Sequence, residues 1–498
     1  MNIEHIIVQA GGKGTRLGSL TKNKPKALVP IHNLPLLFHL FRKFPEKNFI
    51  IIADYQKEVL REYLECFATV KYQVIDTPGG YIGTCSGIRN ALNYLNPQTP
   101  FILIWSDLIL PDNFALPKEE KDYIGISQTF SCRWSYASGI FSEKASAEHG
   151  VAGFFIFTDK SKLSDVPDSG ELVRWMQQKC MMLEELSLAG TKEFGLLEEY
   201  NKLEIEKCRP FNKMIFHKDD VVKEPTDAQG KQLAASETNW YRAVSGKFSF
   251  LPQIYELSPL RMERIHGKNI YEYEALSIPE KKQILKMLID ALNELHASAS
   301  IPADRFSMKE VYYHKTMRRL NVIRNLVPYA DRPEITINGK RCRNIFFHRR
   351  AFENKIDTLS CDQFYFLHGD CTFSNMILRE DGTPVLIDPR GYFGHTALYG
   401  HVLYDWAKLY YSIIGNYDRF NLKDFRLELD ESGVSLQISS NHWEDLEQDF
   451  FDLTGAPEHD IKLIHAIIWL SLTTYAWQDY DSVCGAFYNG LYYLEDVL

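Results

Sequence analysis

The chain has 498 residues, long for one domain and comfortable for two, and at 45% hydrophobic and 24% charged it has the makings of packed cores. A net charge of -9 argues against general nucleic-acid binding, which wants a basic face. Nine dispersed cysteines without a C-x-x-C pair read as reduced thiols, not as a disulfide framework, and no window approaches the ~20 apolar residues of a membrane span.

In chain order, residues 1–8 show no basic region followed by a long apolar stretch, so no signal peptide is expected and a cytoplasmic setting is. His5-Ile6-Ile7-Val8 is a short strand ending in a Gly-rich turn. Residues 34–44 have helical spacing, 48–53 read as a buried strand, 57–66 as a helix, 71–75 as a strand and 84–95 as a helix. Residues 101–105 form another buried strand, ending at Ser106-Asp107. This alternation predicts an α/β domain with a mostly parallel sheet, whose ligands sit at the carboxyl ends of strands. The rhythm changes near 205. Residues 212–216 and 221–223 predict a hairpin, 236–243 a helix and 280–299 an amphipathic helix, with a mainly helical, aromatic remainder. The expected domains are 1–205 and 206–498.

Two motifs carry chemistry. The first is Gly11-Gly12-Lys13-Gly14-Thr15-Arg16-Leu17, with Pro25-Lys26 after it. Gly11, Gly12 and Gly14 let backbone N–H groups approach phosphate oxygens, Thr15 and Arg16 add donors, and Lys26 adds a second cation. A dinucleotide fingerprint would need glycine where Leu17 stands, and the Gly-Lys-[Ser/Thr] of a Walker loop is absent. The motif resembles G-x-G-T-R-L…P-K of the sugar-phosphate and choline-phosphate nucleotidyltransferases, over roughly the first 200 residues. The resemblance implies a Rossmann-like sheet, with Arg16 and Lys26 acting on the phosphates of an NTP. It also places Gly79, Gly83 and Thr84 near the base or the acceptor, and Asp107 as a Mg2+ ligand. Residues 193–200 resemble the D-x-G-T-P-E-D-Y segment of that family. Glu193 stands at its metal-ligand position, as a second ligand or as a solvated carboxylate.

The second motif is His368-Gly369-Asp370 with Asn375, followed after residues 376–387 by Asp388. It resembles the catalytic and metal-binding segments of the aminoglycoside phosphotransferase and choline kinase superfamily, over roughly residues 206–498. That resemblance implies a protein-kinase-like α+β domain. In it Asp370 orients or deprotonates the acceptor hydroxyl, and Asn375 and Asp388 hold Mg2+ on ATP. Lys223 would pair with the ATP phosphates, Glu237 would partner Lys223, and Met262-Glu263 would form the hinge at adenine. Arg390 contacts an anion or pairs with a neighbouring carboxylate. Tyr392, Tyr404, Asp405, Trp406, Trp469 and other C-terminal aromatics could cage a quaternary ammonium, stack on a sugar or simply pack a core.

Together the resemblances imply one chain that phosphorylates a small hydroxyl metabolite X with ATP. It then couples X-phosphate to CTP, GTP or UTP, giving NDP-X for surface glycan synthesis. X is expected to be a sugar or polyol, with choline or another amino alcohol as the alternative. A further alternative makes one half a non-catalytic nucleotide-binding module.

Overall fold

The computed structural model describes every residue except 78, 80, 81, 204–211 and 274, and the side chain of 229. Chain contacts divide it into two compact units, Met1–Glu204 with Gln478–Tyr480 and Ile205–Trp477 with Asp481–Leu498. The expected division at 205/206 itself falls outside the described residues.

In the first unit a nine-stranded sheet is built around His5–Gln9, which pairs in parallel with Asn48–Ala53 on one side and Phe101–Trp105 on the other. Lys71–Asp76 extends the parallel part, whereas Gly150–Phe157 joins Phe101–Trp105 antiparallel. Ile7 faces Ile50 and Leu103, and all three are buried. Such continuous apolar strands belong in a sheet covered on both faces. Two helices are shorter than their apolar spacing suggests. Leu34–Pro35 is drawn into a ribbon with Pro30–Ile31, so the helix runs only Leu36–Lys43. The helix expected over 84–95 is reduced to Ile88–Leu92, because Gly83 (φ 97°) and Gly87 (φ 80°) hold a left-handed backbone that ends helical propagation.

The second unit opens with an antiparallel sheet in the order Asn212–Phe216, Asp220–Pro225, Leu260–Glu263, Ile254–Leu257. The helix expected at 236–243 starts earlier, at Ala228, where the Asp227 carboxylate caps the N–H of Gly230. Ile278–Ala297 begins with the Ser277/Glu280 capping box. Strand Gln363–Phe366 leads into the His368 loop, and the hairpin Met376–Arg379/Pro384–Leu386 turns at Gly382 (φ 81°). The remainder is not simply helical. Lys340–Arg343, Glu334–Ile337, Gly433–Ile438 and Phe425–Asp430 form a four-stranded sheet, with Asn338-Gly339 (φ 49° and 78°) as its first tight turn. Among the described residues no helix is long and apolar enough to cross a membrane.

Candidate active sites

In the first unit, strand His5–Gln9 delivers the glycine loop to the carboxyl edge of the sheet. A Cβ on Gly11 would stand 2.9 Å from Asp54 Cβ, and one on Gly14 (φ 63°) would stand 3.1 Å from Lys26 Cβ, whereas nothing lies within 4 Å of such an atom on Gly12. Gly11 and Gly14 therefore allow close packing, and Gly12 leaves backbone open to a ligand. Thr15 and Arg16 are exposed at the start of the 3-10 helix Thr15–Thr21.

Lys26 Nζ is bonded to Asp107 Oδ2 with both side chains largely buried, and Asp107 Oδ1 is buried with no hydrogen-bond partner. The ribbon of Leu108–Ile109 with Lys192–Glu193 sets Glu193 opposite Leu108, and the Phe194 N–H donates to Asp107 O at 3.0 Å. Burial, then the neighbouring Asp107 charge, lifts the Glu193 carboxyl above its ordinary range, against the pull of Lys26 and Arg16. A Cβ on Gly195 would lie 2.1 Å from Glu193 Oε1 and 3.5 Å from Arg16 Nη2, so the absent side chain is what lets the three groups meet. The structure thus brings Gly14, Arg16, Lys26, Asp107 and Glu193 together.

Gly83 and Thr84 are occupied structurally. A Cβ on Gly83 would meet Gly170 O at 2.3 Å, and Thr84 Oγ1 accepts the Leu172 N–H at 2.8 Å. Gln9, which no motif signals, donates Nε2 to Thr84 O at 2.7 Å and ties this loop to the first strand.

In the second unit, Lys223 Nζ meets Glu237 Oε2 at 2.7 Å and is also bonded to Asp388 Oδ1. The three side chains come from a strand, a helix and the segment after the hairpin, 165 residues apart at the extremes. Burial alone would depress the Lys223 pKa, but the two carboxylates outweigh it and raise it. Burial lifts Glu237 to about 7 against the opposing pull of Lys223. Asp388 adopts a left-handed backbone (φ 58°), the kind of local strain that clusters at functional positions.

Asp370 Oδ1 pairs with Lys408 Nζ at 2.9 Å, and Oδ2 accepts from Asn375 Nδ2 at 3.0 Å, which turns the Asn375 carbonyl oxygen away as a candidate ligand. Burial acts to raise the Asp370 pKa, but Lys408 and Arg390 override it, and the carboxyl stays below its ordinary range.

The loop is held from behind by Asp405, which is 0% exposed. Its Oδ2 accepts the His368 N–H (2.9 Å) and His296 Nε2–H (3.0 Å), and its Oδ1 accepts the Gly369 N–H (2.7 Å). Asp405 is therefore spent inside the fold, and Tyr404, Trp406 and Trp469 are buried with it instead of lining a cage. Lys408 lies one turn further along helix Val402–Ile413, and no motif marks it. Met262 is buried in the sheet, paired with Val221, and Glu263 is held by Arg379 at 2.7 Å. The Glu263 N–H is likewise taken by Gln253 O at 2.8 Å.

Among the described residues no three His, Cys, Asp or Glu side chains converge to hold a metal alone. Each site offers two hard oxygen side chains, Asp107 with Glu193 and Asn375 with Asp388. That set suits Mg2+ when nucleotide phosphates supply further ligands.

Residues 6–116 match the family described as MobA-like NTP transferase domain, and residues 221–428 match the Phosphotransferase enzyme family. Over 109 residues the chain is 31% identical to the bifunctional protein GlmU of Methanocaldococcus jannaschii, covering 22% of this chain and 26% of that one. Over 117 residues it is 32% identical to D-glycero-alpha-D-manno-heptose 1-phosphate guanylyltransferase of Campylobacter jejuni, covering 22% of this chain and 53% of that one. The match thus spans from about a quarter to about half the length of these relatives. Among solved structures, CTP:phosphocholine cytidylyltransferase from Streptococcus pneumoniae aligns at 20% identity and TM-score 0.34, over 41% of this chain and 97% of that one. The chain therefore joins a MobA-like NTP transferase domain to a domain of the phosphotransferase enzyme family, both of them families of enzymes.

Proposed function

We propose that the two halves catalyse consecutive steps in the cytoplasm. The second phosphorylates a small hydroxyl metabolite, and the first couples the resulting phosphate to a nucleotide. The observation that carries this reading is the pairing of the Asp370/Asn375/Asp388 set with the Lys26/Asp107/Glu193 set in one chain, since the product of the first chemistry is the substrate of the second.

In the kinase step the acceptor oxygen attacks the γ-phosphorus of ATP, its proton passes to Asp370 and ADP leaves. Lys223, fixed by Glu237, meets the phosphates, and Lys408 keeps Asp370 ionised and aimed. In the transferase step an oxygen of X-phosphate attacks the α-phosphorus of the NTP and pyrophosphate leaves. The glycine loop and Arg16 hold the triphosphate, and Lys26 offsets the charge that builds on the phosphates. Asp107 and Glu193 in one half, and Asn375 and Asp388 in the other, would hold Mg2+, which would supply charge neutralisation on the phosphates.

The metabolite is read as a sugar or polyol, and the product as an NDP-activated compound for surface glycan assembly. The test is ADP release with ATP, magnesium and a panel of sugars, polyols and amino alcohols. Each product is then offered with CTP, GTP or UTP and pyrophosphate is followed. A compound that yields both ADP and pyrophosphate supports the reading. ADP release without pyrophosphate from any NTP would reduce the first half to a binding module.

A further inference from the structure

We propose that the kinase acceptor is an anion: the metabolite carries a carboxylate or phosphate gripped by Lys315, Arg319 and Arg390, beside the hydroxyl that meets Asp370. This deepens, and rests on, the reading of the second unit as a small-molecule kinase.

Lys315 and Arg319 stand one turn apart on helix Lys315–Ile323 and share a face. The helix is entered through the π turn Glu310–His314, a local widening that often marks functional segments. Arg390 follows Asp388 by two residues, and its N–H donates to His368 O at 2.8 Å, so it is anchored to the catalytic loop. Its guanidinium donates to Tyr404 OH at 2.8 Å and to Tyr392 OH at 3.3 Å. Arg319 donates to the Ser471 carbonyl and lies 5.8 Å from the Tyr475 ring centre. Lys408, on Asp370, completes the group. All four cations are half-buried.

The cluster has a charge imbalance. Only Lys408 has a carboxylate partner, Asp370, while Arg390 and Arg319 meet neutral groups. Lys315 has neither a hydrogen bond nor an ion pair among the described residues, and the nearby Glu310 is taken by Arg318. Burial, then the fields of Arg390, Arg319 and Lys408, pull the Lys315 ammonium well below its ordinary pKa. Burial and Arg390 lower that of Arg319. Two other half-buried arginines of this unit are neutralised, Arg379 by Glu263 and Arg343 by Glu495. Buried cations that feel one another's charge are self-repelling, and an anion bound among them removes the repulsion. The arginine forks match the two oxygens of a carboxylate or phosphate. A cationic amino alcohol would add a fifth positive charge to the same ground.

The full chain is assayed for ADP release with charge-matched acceptors: glycerate against glycerol, glucuronate against glucose, glucose 6-phosphate against glucose, and choline as the cation. At least one anionic acceptor is expected to exceed its neutral partner by about tenfold or more in kcat/KM. The double variant Lys315→Gln/Arg319→Gln should erase that preference through KM, with binding of a fluorescent ATP analogue unchanged. Hydroxy acids and the sugar phosphate separate the two anion sources. In parallel, glycerate and inorganic phosphate should raise the melting temperature of the wild type and not of the double variant, whose unliganded form should melt no lower because repulsion is relieved. Preference for neutral or cationic acceptors, or anion stabilisation that is absent or survives the double substitution, overturns the proposal. Anion binding that needs Lys315 and Arg319 while no acceptor releases ADP would support the anion site and sink the kinase reading instead.

Discussion

Replacing Asp405 by asparagine changes one atom behind the catalytic loop and should disable the kinase half. The native carboxylate accepts three N–H bonds, from His368 (2.9 Å), Gly369 (2.7 Å) and His296 (3.0 Å), in a fully buried site. A carboxamide offers one oxygen. If that oxygen keeps His368 and His296, the amide nitrogen faces the Gly369 N–H, donor against donor. One charge-assisted bond is lost, and a buried N–H is left unpaired, for a combined cost of roughly 3–5 kcal/mol. Against a total stability of about 5–15 kcal/mol the fold survives, with its melting point lowered by about 5–8 °C. The same repulsion displaces Gly369 and with it Asp370, and a shift of about 1 Å at a reacting group lowers kcat by on the order of a hundredfold. Thermal melting by circular dichroism and ADP release read the two effects. His296→Gln, whose amide can still donate, should be the milder change. An Asp405→Asn protein melting within about 2 °C of wild type, with kcat within about threefold, would refute the clamp.

Three other outcomes follow from the geometry. Gly195→Ala puts a methyl where Glu193 Oε1 now lies; the carboxylate can swing aside with little loss of stability, but pyrophosphate release should fall by about tenfold or more while ADP release is untouched. Lys223→Met strips the cation from Glu237 and Asp388 and should abolish ATP turnover, leaving pyrophosphate formation from supplied X-phosphate intact. His465 Nε2 accepts the Trp469 indole N–H at 3.0 Å, a bond only the neutral ring can make, and burial holds its pKa down to about 3. Its folded value lies below the unfolded value of about 6.5, so the unfolded chain takes up the proton first. Stability should therefore be full above pH 6.5 and fall as pH drops toward 3, and His465→Gln, which keeps an acceptor, should flatten that slope in melts between pH 7.5 and 5.

The parallel strands are legible because their apolar runs are continuous, and the Glu280 helix because its apolar positions keep helical spacing. The sequence pairs Asp107 with Glu193 only through family likeness; in space it is the ribbon Leu108–Ile109/Lys192–Glu193 and the missing side chain of Gly195 that put them side by side. Asp405 was visible as a carboxylate among aromatics, but its partners lie 36 and 109 residues away, and no local pattern announces such a clamp. Lys315, Arg319 and Lys408 carry no local signal for a similar reason, since a helical cation reads as a solvated surface charge until tertiary packing buries it, as it does Lys408 beside Asp370. The sheet around Asn338-Gly339 did carry a short hairpin signal, which the aromatic helices on either side obscured.

The most direct measurement separates the two steps in one chain. Wild type, Asp370→Asn and Asp107→Asn are given ATP, an NTP and either the acceptor or its phosphate, and ADP and pyrophosphate are followed together. The account predicts that Asp370→Asn releases pyrophosphate only from the supplied phosphate, and that Asp107→Asn releases ADP from the acceptor but no pyrophosphate from either. Pyrophosphate formation by Asp370→Asn from the unphosphorylated acceptor, or by Asp107→Asn at the wild-type rate, would contradict it.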